Sequence, residues 1–237
     1  MLVRYFAICI ASTTLFSSCL DRNEKGAAEA IAGLVNAREC RVIHAVSFET
    51  IQGVKQDRKN LVVLKIEGVA QFDSIQRKDL ITSIAALRYY QWQDAGLLDD
   101  LDRVEVDVNG KGGFFKSSYT MEELSEAATL ELKVDECLQL VRDRGYLGLA
   151  YAMDTAYSAN SSLTDFSNGL HRMDSLYGSV DVAKVLGFRI VEGDDASMRL
   201  LVFGVYVGNG QDGGEYLDLA VNPINQRIVA IDTFEPW

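Results

Sequence analysis

Apolar residues recur along this chain with two periods, and the switching between them sets out its elements. At residues 103–109 the period is two: Val104, Val106 and Val108 alternate with Arg103, Glu105 and Asp107, which predicts a strand with one buried and one wet face. Residues 41–50 and 61–70 are rich in Val and Ile and predict two more strands joined by a polar loop. Asn109-Gly110 predicts a turn into Phe114-Phe115.

Helical spacing appears in three places before residue 150. Ala27, Ala30, Ile31, Leu34 and Val35 line one side of a helix over 21–38. Asp73-Ser74 can start a second, which carries Leu80, Ile81, Ile84, Leu87, Tyr89 and Trp92 and ends at Gly96. The third has the clearest start. Thr120 is an N-cap, Glu123 completes a capping box, and Tyr119 and Leu124 are spaced as a hydrophobic staple. Its stripe is Leu130, Val134, Cys137, Leu138 and Val141, and Gly145 is the expected stop.

After Tyr146 the pattern changes. A short helix leads into the Ser/Asn-rich stretch 158–162, the expected internal boundary, and a further helix carries Leu163, Phe166, Leu170, Met173 and Tyr177. Strands are predicted at 188–192, 198–207, 216–221 and 227–232, with turn-like connections between them. Residues 180–186 are readable as a helical turn or as the start of the first of these strands. The expected fold class is α+β, with helices packed on antiparallel sheets. It comprises two subdomains, 19–145 and 146–237, the second a helix on a four-stranded meander. The helix-plus-meander order of the last third, and its final hairpin with Asn222-Pro223 in the turn, resembles cystatin-like and PepSY-like folds, a likeness of fold alone.

The first eighteen residues follow a different logic. Arg4 is a short positive start, residues 5–16 are apolar but too short to span a bilayer, and Ser17-Ser18 are small. Leu15-Phe16-Ser17-Ser18-Cys19 resembles the lipobox of bacterial lipoproteins, with Phe16 where Leu is usual, a looseness found in the Bacteroidota. The resemblance implies that 1–18 is a signal peptide and that Cys19 becomes the lipidated first mature residue. The membrane is then a partner through the acyl chains. Leu20 lacks the Asp of inner-membrane retention, so the implied location is the outer membrane, facing the periplasm. Asp73-Ser74-Ile75, Asp154-Thr155-Ala156 and Asp174-Ser175-Leu176 match the short O-glycosylation pattern of exported Bacteroidota proteins.

Charge narrows the function classes. The chain carries a formal −11, and −12 once Arg4 is removed, with one small basic cluster at Lys55, Arg58 and Lys59. Phosphate binding needs a concentrated basic face, so nucleic acid is not an expected partner. Of four cysteines, Cys9 leaves with the signal and Cys19 is consumed by lipid. Cys40 and Cys137 remain, either as a disulfide or as two buried thiols.

Most chemical motifs dissolve on inspection. The run from Gly208 to Gly213 matches G-x-G-x-x-G but precedes an alternating strand, where a dinucleotide site needs a helix. Glu105, Asp107, Asn109 and Gly110 imitate the start of a calcium loop, but its twelfth position is Lys116. Asp94, Asp99, Asp100 and Asp102 cluster at a helix end and suit a solvated loop better than a hard cation. His44 shares strand parity with Cys40, Val42, Val46 and Phe48, which predicts a core position. Cys40 and His44 are about 13 Å apart along a strand and cannot share a metal. His171 and Asp174 lie one helical turn apart with no third ligand.

No catalytic constellation and no cofactor set is legible. Tyr89, Tyr90 and Trp92 point around one helix, so at least one is exposed and available to a sugar ring or a protein. The expected function is a non-enzymatic, membrane-anchored binding module of the cell envelope with a protein or glycan partner. The alternative is an envelope hydrolase acting on glycan or peptide through a pair of carboxylates in a cleft.

Overall fold

A computed structural model describes residues 22–51, 55–70, 75–93, 100–153, 168, 171, 180–192, 199–208 and 214–233. Its elements are α1 (Arg22–Leu34), β1 (Glu39–Ile51), β2 (Lys55–Val69), α2 (Ile75–Trp92), β3 (Arg103–Gly110), β4 (Gly113–Thr120), α3 (Met121–Arg142) and α4 (Tyr146–Ala152). Strands β5 (Val182–Glu192), β6 (Arg199–Gly208), β7 (Gly214–Asn222) and β8 (Arg227–Thr233) follow. They form two four-stranded sheets, ordered β1-β2-β3-β4 and β5-β6-β7-β8, so the chain is α+β.

The second sheet is an antiparallel meander throughout. The first is mixed: β2 and β3 run parallel, with Leu61 opposite Arg103 and Ile66 opposite Val108. This corrects the expectation of wholly antiparallel sheets. A parallel pair needs a long crossover, and α2 with its flanks supplies it.

Strand β2 begins six residues before the predicted position, pairing with β1 from Ile51 opposite Lys55 to Glu39 opposite Glu67. Strand β3 joins β2 only from Leu61 onward. Beyond Ala45 and Leu61, therefore, β1 and β2 are a two-stranded ribbon that projects past the sheet. The segment reads as a polar loop because Lys55 to Asn60 carry no hydrophobic alternation.

The two halves share one core. Leu64 and Ile66 of β2, Val106 of β3, Leu87 of α2, Leu130 of α3 and Phe203 of β6 belong to a single buried cluster. Helix α2 is its axis, with Thr82 through Leu87 all nearly inaccessible. At Gly187 of β5, which has φ +150, an added Cβ would fall 2.3 Å from the Leu80 carbonyl oxygen; at Gly204 of β6 it would meet the Leu80 side chain at 2.7 Å. The two glycines let α2 lie directly against the second sheet. A register shift between Val185 and Gly187 accommodates this approach and makes 182–192 a single strand, which resolves the ambiguity at 180–186.

Helix α3 starts as its sequence predicts. Thr120 Oγ1 accepts from Glu123 N, and Glu123 reciprocates to Thr120 N at 2.8 Å. Tyr119, expected as a staple, instead has its hydroxyl 2.9 Å from Thr82 Oγ1 and its ring against Phe188. Helices α2 and α3 are clamped by Arg88, which donates to both oxygens of the buried Glu131 at 2.7 and 3.0 Å, with Gln91 donating at 2.6 Å. The helix ends through Arg144, at φ 56, rather than through Gly145. The helix expected at 163–177 lies outside the described residues apart from Asn168 and His171.

Candidate interaction site on strand β1

Strand β1 is an edge strand, and α1 covers only part of its inner face. Val42 is buried and Cys40 partly so, whereas Val46 is 45% and Phe48 61% exposed. The parity that predicted an inward-facing row holds only as far as the helix layer reaches. Past that point the same row, with Ile43 on the opposite face, presents apolar side chains to solvent. Apart from its ladder with β2, β1 makes no backbone hydrogen bond among the described residues.

The limit of coverage is marked by His44. Its Nε2 lies 2.6 Å from Glu24 Oε1 of α1, with the histidine side chain 55% exposed and the glutamate 10%. This corrects the core placement expected for His44: the ring closes the buried layer and reaches solvent. Glu24 also meets Tyr89 of α2. Burial first, then the negative charge of Glu24 and the hydrogen bond to it, push the Tyr89 phenol well above its usual value. The phenol therefore donates to the carboxylate, and Glu24 ties α1 to β1 through His44 and to α2 through Tyr89. The sequence offers no local sign of this set, because its members come from three elements.

The other singled-out residues fall elsewhere. Tyr89 is buried and committed to Glu24, Tyr90 is half-buried, and Trp92 is 49% exposed at the end of α2. Cys40 and Cys137 are free thiols in the structure. They sit in apolar surroundings on β1 and α3; burial pushes Cys40 up to about 12 and Cys137 to about 11. His171 packs edge-on against Tyr146, with ring centroids 4.8 Å apart. Cys19, Asp94, Asp99, Asp174 and the three glycosylation-like tripeptides lie wholly or largely outside the described residues.

Asp102, Glu105 and Asp107, from the two acidic motifs, have structural partners. Asp102 accepts from Asn60 N at 2.8 Å and from Lys59 Nζ at 3.3 Å, fixing the start of β3 against β2. Lys116, at the position where a calcium loop would need a glutamate, lies 2.5 Å from Glu105 and 3.8 Å from Asp107. Gly208 and Gly214 are partners in the antiparallel β6–β7 ladder, so a strand follows the glycine-rich run. Among the described residues no three His, Cys, Asp or Glu side chains are grouped to hold a metal. Nor is any described helix long and apolar enough to cross a membrane.

A cavity of about 460 Å³ opens at the carboxyl ends of the parallel strands β2 and β3, lined by Arg38, Glu67, Gly68, Val69, Ala70, Asn109, Gly110 and Lys111. Among the described residues that line it Glu67 is the one carboxylate, 4.0 Å from Arg38 Nη2. A glycan hydrolase needs two carboxyl groups facing each other across such a space, and the described lining shows one. No family model, no curated protein and no solved structure matches this chain.

Proposed function

We propose that this chain is a non-enzymatic binding module of the cell envelope, anchored through Cys19 to the outer membrane on its periplasmic side, and that it takes an extended protein segment along β1. The observation that carries this reading is the edge of β1, which no described element covers and where Val46 and Phe48 stand exposed. Soluble proteins protect long edge strands with charge, proline or a covering element, because open N–H and C=O groups are a template for another strand. On this ribbon the exposed row is instead apolar. Strand addition uses both features: main-chain bonds supply affinity and alternate side chains supply selectivity. Helix α1 begins three residues after Cys19, so the anchor would hold the β1 face close to the membrane.

The test is a photoreactive residue placed at Phe48 in whole cells, alongside the same chain carrying Cys19→Ala. One dominant covalent adduct, lost with the anchor, is the expected result. Labelling at Phe48 no greater than at Ile224, which is 86% exposed but lies on a β7–β8 turn, would overturn it.

A further inference from the structure

Resting on that reading of the edge, we infer that the segment taken along β1 is β1 of a second copy of this chain, paired antiparallel about Ala45. Pairing of this kind is isologous: every contact occurs twice, so the strand must complement its own reversed sequence. A register centred on Ala45 does so. It sets Val42 opposite Phe48 of the second copy and His44 opposite Val46, adding apolar surface where α1 leaves the ribbon bare. On the other face it sets Ile43 opposite Ser47 and brings Arg41, which already donates to Glu39 at 2.6 and 2.9 Å, into register with the acidic position Glu49.

Neighbouring registers lose this match. Centring on His44 brings Glu39 into register with Glu49, a like-charge pair, and places His44 against itself. Centring on Val46 sets Arg41 against Ile51 and Ile43 against Glu49, so no charges pair. The Ala45 register also keeps even-numbered residues of both copies on one face, so the helix layers lie on the same side of a continuous eight-stranded sheet.

The register gives a sharp test. Directly opposed residues of an antiparallel pair have Cα atoms about 4.5–5.5 Å apart, within disulfide range. In the anchored chain carrying Cys40→Ser, Ala45→Cys should give a reducible dimer on mild oxidation. Ile43→Cys alone should not, whereas co-expressed Ile43→Cys and Ser47→Cys chains should cross-link to each other. Unfolding midpoints matching the parent under reducing conditions confirm that each variant is folded. Cross-linking of Ala45→Cys no stronger than that of Ile43→Cys would overturn the second-copy proposal. If the Phe48 photoadduct then contains a different envelope protein, the edge still binds and only this occupant is wrong. If no adduct forms either, both readings fall.

Discussion

Ser83 Oγ accepts the backbone N–H of Phe188 at 2.8 Å in a fully buried position, 105 residues apart in sequence. The bond ties the central helix of the first half to the edge strand of the second, at the point where Gly187 brings the two backbones together. Replacing Ser83 by Ala leaves a buried N–H without a partner, which costs about 1–3 kcal/mol. The expected result is a lower urea midpoint with an unchanged slope. Two separate transitions would show that the halves had lost their common core.

Gly187→Ala addresses the same contact from the other side. A methyl group there would sit 2.3 Å from the Leu80 carbonyl oxygen on a backbone with φ +150. Strain and overpacking together predict a loss of about 3 kcal/mol or more. Thermal unfolding of this variant beside Gly113→Ala separates the two terms, since Gly113 also has positive φ (+103) but nothing within 4 Å.

The Arg88–Glu131 clamp predicts a marked asymmetry between single and double replacement. The Glu131 side chain is 5% exposed and that of Arg88 32%. Arg88→Met strands a buried carboxylate and should cost about 3 kcal/mol, the low end of the range for a broken buried pair because Arg88 is partly solvated. Adding Glu131→Leu should recover most of that loss. Equal destabilisation by the single and double variants in denaturant titrations would contradict the account.

Tyr89 predicts an alkaline dependence. Its phenol titrates higher in the fold than the usual 10, so the folded state holds this proton more tightly than the unfolded one. Its contribution to stability is fully present below pH 10 and is lost as pH rises through the raised folded value. Tyr89→Phe should be less stable near neutrality, because buried Glu24 loses a donor, and should show a flatter decline above pH 10. Parallel alkaline profiles for the two proteins would argue that Glu24 does not hold the phenol.

Both core thiols should be unreactive while the protein is folded. With Cys40 at about 12 and Cys137 at about 11, little thiolate exists at neutral pH. In a chain carrying Cys9→Ala and Cys19→Ala, thiol-reactive dye should label neither residue quickly in buffer, and both in urea. Rapid native labelling of either one would contradict its placement.

The parts of the fold legible from sequence are those with a strong local cause. Thr120 and Glu123 announce α3 because a capping box is made within four residues, and Val104, Val106 and Val108 announce β3 because one of its faces is buried. What the pattern hid has non-local causes. The parallel pairing of β2 with β3 depends on where the crossover lands, and the β1–β2 ribbon lies beyond the point where β3 joins the sheet. Residues 180–186 read ambiguously because the register shift between Val185 and Gly187 breaks the strand's parity. The His44–Glu24–Tyr89 set joins positions 20 and 65 residues from Glu24, and only the packing of α1 over β1 and α2 brings them together. For His44 the period-two rule placed the side chain on the correct face. It did not show that the covering helix ends there.

The exposed end of β1, with Val46 and Phe48, is the proposed binding edge. Its most direct test is the size of the assembly solubilised from membranes in mild detergent, compared between the parent chain and a Val46→Lys/Phe48→Lys variant. Both sites are exposed, so the unfolding midpoint should be nearly unchanged. The parent should migrate as more than one chain and the variant as a single chain. The same size for both, with both folded, would contradict it.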